Sequence, residues 1–153
     1  MKTSEGYWFL DTLVKIRVSG DNNSDEISVL EHEAYYGDSS PLHIHHTEDE
    51  IFIVLEGDFL FVIDSIEHRL KTGETILAPK GIPHQYRVES EKGGRWITIT
   101  TGHDFENFVK AISMLATTDS LPERLGPLTE QLKAQLMAKS AEYQIEIIGP
   151  PLH

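Results

Sequence analysis

The sequence predicts a mainly β domain, an antiparallel sandwich or barrel over about residues 8–102 with two helices behind it. Three observations point there. From Trp8 to about Gly102, short β-prone runs alternate with clusters of Gly, Asp, Asn, Ser and Pro. After Gly102 the apolar spacing changes from that of a strand to that of a helix. A chain of 153 residues is long enough for one domain, which at this size buries roughly 68–70% of the surface its unfolded chain exposes.

The candidate strands are, in order, Thr12 to Val18, Ile27 to Tyr35, Leu42 to His45, Ile51 to Leu55, Phe59 to Ile63, Glu67 to Leu70, Thr75 to Ala78, Gln85 to Val88 and Trp96 to Thr101. Asp21-Asn22-Asn23-Ser24, Glu56-Gly57-Asp58, Thr72-Gly73 and Lys92-Gly93-Gly94 divide them, using residues that tolerate positive φ or bond their own backbone. Phe105, Phe108, Val109 and Ile112 then share one helical face, and Leu128, Leu132 and Leu136 another. Both stripes are expected to pack into the core. Thr117 to Pro122 and Gly126-Pro127 break the helical pattern and read as a loop. The helical region thus covers about 103–142, and 143–153 reads as a tail of the same single domain.

Composition narrows the partners. With 13 Lys and Arg against 25 Asp and Glu, the net charge of -12 opposes binding to nucleic acid and to anionic membranes. The absence of cysteine means that any metal is held by nitrogen and oxygen donors. The opening Met1 to Gly6 has no apolar leader and no run approaches the roughly 18 apolar residues of a membrane span, so a cytoplasmic protein is expected.

The chemistry-bearing residues cluster in Pro41-Leu42-His43-Ile44-His45-His46-Thr47-Glu48-Asp49-Glu50. Alternation along a strand sends His43 and His45 to one side and Ile44 to the other. Glu50 opens the next apolar strand, either as a solvated strand end or as an inward ligand. A Pro and Gly turn, Pro79-Lys80-Gly81-Ile82-Pro83, delivers a third imidazole, His84. His46 faces the other way along the strand. His32, His68, His103 and His153 lack ligand spacing and are expected to be solvated or bonded locally. If Glu50 points inward, parity turns Phe52 and Val54 inward as well; with His84 go Tyr86 and Val88. These four would line an apolar, partly aromatic pocket. Ile51, Ile53 and Leu55 would face the opposite side, which is then covered by a helix or a partner subunit.

The spacing resembles that of the cupins. The first cupin motif, Gly, five residues, His-x-His, three or four residues, Glu, six residues, Gly, matches Gly37, His43, His45, Glu50 and Gly57. The second, Gly, five residues, Pro-x-Gly, two residues, His, three residues, Asn, matches Gly73, Pro79, Gly81 and His84, with Val88 where Asn is usual. The resemblance implies a jelly-roll barrel, a metal site of His43, His45, Glu50 and His84, and a homodimer. The ion would be one divalent metal, iron, manganese, nickel, cobalt or zinc. The ligand set, the aromatic lining and the tail Tyr143 to Pro151 look like small single-domain cupins similar to quercetin 2,3-dioxygenase. The expected function is a dioxygenase acting on a small aromatic or enolic molecule, with Glu50 as proton acceptor. The alternatives are a non-catalytic small-molecule binder and a sugar isomerase or epimerase, because one fold hosts many chemistries.

Overall fold

The computed structural model describes residues 5–153. Its strands are β1 (Gly6–Phe9), β2 (Thr12–Val18), β3 (Ser28–Ala34), β4 (Leu42–His45), β5 (Glu50–Glu56), β6 (Phe59–Ile63), β7 (Ile66–Leu70), β8 (Thr75–Ala78), β9 (His84–Val88), β10 (Gly94–Thr100), β11 (Met114–Leu115) and β12 (Ile145–Gly149); the helices are α1 (Asp104–Ile112) and α2 (Glu130–Glu142). Two antiparallel sheets form the jelly roll. One has the order β11-β1-β2-β3-β10-β5-β8 and the other β12-β4-β9-β6-β7. No helix among the described residues is long and apolar enough to cross a membrane.

Period-two alternation builds the large sheet. In β3, β5 and β10 every second residue is buried, among them Leu30, His32 and Ala34, Phe52 and Val54, and Trp96, Thr98 and Thr100. Ala34, Phe52, Val54, Phe59, Phe61, Val88 and Trp96 form the principal core cluster. Burial of each large apolar side chain contributes roughly 1.5–3 kcal/mol. Gly94 is required by that packing, since a Cβ there would meet the Phe59 ring at 2.6 Å.

α1 behaves as its stripe predicts. Phe108 and Val109 are buried, and Val109 joins Val14 and Leu30 in a second cluster. α2 does not. Leu132 is 50% exposed, Leu136 faces a cavity, and Ser140 is the residue of this helix that is fully buried. Leu136 therefore serves a cavity wall rather than the core, Leu132 faces solvent, and the helix is held by the Thr129 cap and by packing on β12. The supposed tail is likewise structured, because β12 pairs with β4, placing Ile145 opposite His45 and Ile147 opposite His43. The outer face of β5 is half-buried as expected at Ile51, Ile53 and Leu55, yet the helices pack elsewhere, α1 on β1 and α2 on β12. Leu77, opposite Ile51, is 50% exposed.

A buried carboxylate ties α1 to the barrel. Glu106 accepts bonds from Ser19 Oγ, Gly20 N–H, Ser28 Oγ and Lys110 Nζ, at 2.6 to 2.8 Å. Burial pushes its carboxyl up, but those four donors outweigh burial and hold its pKa below the usual range. A depressed carboxyl pKa stabilises the fold above the unfolded value of about 4.3, and that stability is lost as pH falls through the folded value. Glu106→Gln is therefore expected to cost about 2 kcal/mol at pH 7, from donors left unpaired. Thermal melts at pH 7 and pH 3 should show the gap to the wild type narrowing in acid; a gap independent of pH would contradict the role of the charge.

Candidate metal centre

The small sheet brings the two histidine segments together. β4 pairs with β9 through His43 and His84, so two candidate ligands sit opposite each other across one register position. Alternation places His45 on the same side of β4 as His43, and Glu50 enters from the start of β5 in the other sheet. One donor atom from each of His43, His45, Glu50 and His84 lies within 4.8 Å of the others. His45 Nε2 is 3.1 Å and His84 Nε2 2.6 Å from the same oxygen, Glu50 Oε2. His45, Glu50 and His84 are each 3% exposed or less. Three imidazole nitrogens and one carboxylate oxygen converging in a buried pocket are a donor set that fits a divalent metal ion.

The second ring nitrogens fix which atoms converge. His43 Nδ1 donates to Pro41 O at 2.7 Å, and His84 Nδ1 to Ile82 O at 3.1 Å, leaving Nε2 of each for the centre. Both His84 nitrogens thus face acceptors, and a metal at Nε2 would take the place of the proton between His84 and Glu50. Burial would lower the His84 pKa, but its bond to Glu50 and that carboxylate's charge win and raise it. Glu50 shows the complementary balance: burial pushes it up, while His45, His84 and His43 hold it down, to about 2. His43 is pulled down to about 3 by burial and by the neighbouring His84 and His45.

Glu48 completes the arrangement. Its carboxylate, 1% exposed, accepts the Asp104 and Phe105 backbone N–H groups at the N-terminus of α1 and lies 3.6 Å from His45 Nδ1. Sequence reasoning passed over it because its partners lie 56 and 57 residues away. His45 Nδ1 has no hydrogen-bond partner, so Glu48 acts on it as a nearby charge, and Glu48→Gln is expected to lower metal affinity by less than the roughly 10- to 100-fold that losing a hydrogen-bonded partner of a ligand costs. Competition against a chromogenic chelator measures this, and unchanged affinity would show that Glu48 only caps the helix.

The four residues form one wall of a cavity of about 120 Å³. Phe52 and Tyr86 line it, as expected from parity. Val54 and Val88 do not reach it; they point inward but lie in the core cluster beside Phe59 and Trp96. Parity fixes the side of the sheet, not the depth along it. Phe61, Trp96, Phe105 and Phe108 add aromatic walls, while Leu136, Ser140, Ile145 and Ile147 bring α2 and β12 to the same cavity. His46 is exposed and bonded to Glu146 at 2.9 Å. His32 departs from expectation: it is 4% exposed and lines the cavity.

A cupin-domain family model matches residues 32–100. The chain carries a cupin domain. Over 94 residues this cupin is 28% identical to quercetin 2,3-dioxygenase of Bacillus subtilis, a match covering 60% of the chain and 28% of that enzyme. It is also 39% identical over 49 residues to an uncharacterized protein of Methanocaldococcus jannaschii, covering 32% of the chain and 39% of that protein. The chain thus matches well under half the length of either curated relative. The solved structure of KdgF from Halomonas sp. shares the fold with a TM-score of 0.55 and 18% identity, covering 63% of this chain and 84% of that one.

Proposed function

We propose that this cupin is a metal-dependent dioxygenase acting on a small aromatic or enolic molecule. The observation that carries the reading is a set of three histidines and a glutamate on one wall of a cavity otherwise lined chiefly by aromatic and aliphatic side chains. The likeness of residues in the barrel to quercetin 2,3-dioxygenase supports it. An ion held by His43, His45, Glu50 and His84 supplies Lewis-acid polarisation of a ligand oxygen and, if redox-capable, electron exchange with dioxygen. Phe52, Phe61 and Tyr86 offer flat apolar surface to a ring. Glu50, ionised at neutral pH, can accept the proton that a bound hydroxyl gives up.

The cavity's size favours single-ring ligands, being close to the roughly 150 Å³ that holds one benzene ring in an engineered apolar cavity. A sugar isomerase or epimerase fits less well, since a carbohydrate calls for more polar groups than these walls present. The test is oxygen uptake by iron-, manganese-, nickel- and cobalt-loaded protein with catechols, β-diketones and flavonols. Uptake with a single-ring substrate is the expected result. Background rates throughout, together with ligand-induced thermal stabilisation, would replace the enzyme by a non-catalytic binder.

The half-buried Ile51 and Ile53 and the exposed Leu77 on the outer sheet face support a homodimer as part of this proposal. Light scattering at micromolar concentration is expected to give twice the 17.3 kDa chain mass, and Leu77→Lys to give one.

A further inference from the structure

Among the described residues, two lining side chains keep a buried ring nitrogen without a hydrogen-bond partner, His45 of the metal centre, whose Nδ1 lies 3.6 Å from Glu48, and His32, which stands outside the donor set. Thr12 donates to Phe9 O, Tyr86 to Asp38, Gln85 to Pro150 O and Ser140 to Met137 O, so these lining groups are engaged within the protein. His32 Nε2 is buried and has no hydrogen-bond partner. β3 holds the residue between Val14 on β2 and Trp96 on β10, deep in the large sheet. Its ring stacks on the Trp96 indole at 4.7 Å with 4° between planes, and on Phe105 at 6.0 Å and 18°. With two aromatic rings stacked on it, the imidazole has its edge left for polar contact.

Packing alone does not call for nitrogen here. A phenyl ring makes the same stack without an unfilled donor or acceptor, and buried polar atoms are normally satisfied. Burial also keeps the ring neutral, its pKa pulled down to about 3 against the opposing charge of Glu50. A neutral imidazole can donate from one nitrogen and accept at the other. His32 shares Phe105 with the metal-centre residue His45, whose ring is 5.6 Å from the same phenyl.

We propose that His32 selects and orients the cavity's ligand: a single-ring molecule that gives one oxygen to the His43, His45, Glu50 and His84 centre and a second oxygen to the edge of the His32 ring. This rests on the metal-anchored ligand reading above. His32 is a positioning residue; it leaves the metal to the other four and decides which substituted ring sits in the cavity.

Benzoate and 2-, 3- and 4-hydroxybenzoate serve as probes, titrated into cobalt-loaded protein while the visible spectrum of the metal is followed. The wild type is expected to bind at least one hydroxybenzoate about three- to tenfold more tightly than benzoate, the effect of one added hydrogen bond. His32→Phe should keep its cobalt content, its spectrum without probe and its benzoate affinity, and lose that preference. His32→Gln should regain part of it. A preference that survives in His32→Phe, or is absent from the wild type while benzoate binds, overturns the assignment; so does loss of cobalt in His32→Phe, which would make His32 part of the metal centre. If benzoate itself leaves the wild-type spectrum unchanged, the metal-anchored ligand reading fails, and the role of His32 fails with it.

Discussion

A His43→Ala, His84→Ala double variant folds but no longer gains stability from metal. The two residues face each other at one register position of the β4 and β9 pair, so their removal empties half of the donor set without touching the core clusters. Losing an outer partner of a ligand costs about 10- to 100-fold in affinity, and losing two ligands costs more than that. For the wild type, metal at 100 times its dissociation constant adds about 2.7 kcal/mol, which at about 2–4 °C per kcal/mol raises the melting temperature by roughly 5–11 °C. The double variant should show no metal-dependent shift. Retention of the full shift would mean that the ion binds somewhere other than these side chains.

Trp96→Ala carries the largest expected cost to the fold. Trp96 is 2% exposed and contacts three rings, His32 at 4.7 Å, Phe59 at 5.2 Å and Tyr86 at 4.9 Å. It is both a core residue and a cavity wall. Truncating such a side chain costs about 3–5 kcal/mol, the transfer free energy plus the void left behind. Urea denaturation should register that loss, with Trp96→Phe much milder. A cost under about 1 kcal/mol would show that the barrel collapses around the site, and that the cavity's shape is not set by this ring.

Much of this arrangement was legible in the sequence because strand parity and turn chemistry are local. His43 and His45 share a side of β4, and the Pro79 to Pro83 turn brings His84 opposite them. Thr12–Val18, Leu42–His45, Phe59–Ile63 and Thr75–Ala78 begin and end where turn residues flank them. What escaped depends on partners far along the chain. β12 carries only Ile145 and Ile147 as alternating apolar residues before Gly149 and two prolines, and it becomes a strand because β4 offers it an edge. β1 escaped for a local reason instead: its four residues turn into β2 through Leu10, which stands at φ 54°, a conformation the residue type does not announce. Glu48 looks like one more acid in Thr47-Glu48-Asp49-Glu50 until the N-terminus of α1 arrives above it. His32 was readable: Leu30 and Ala34 flank it at period two, which puts it on the buried face, but a histidine without ligand spacing read as solvated or locally bonded.

Metal analysis of the protein as purified, without chelator or nickel resin, bears on all of this. Elemental mass spectrometry should find about one equivalent of a divalent transition metal per chain, restored by reconstitution after chelation and missing from the His43→Ala, His84→Ala variant. A wild-type chain that takes up no metal, even when reconstituted with iron, manganese, nickel, cobalt and zinc in turn, contradicts a metal centre at His43, His45, Glu50 and His84.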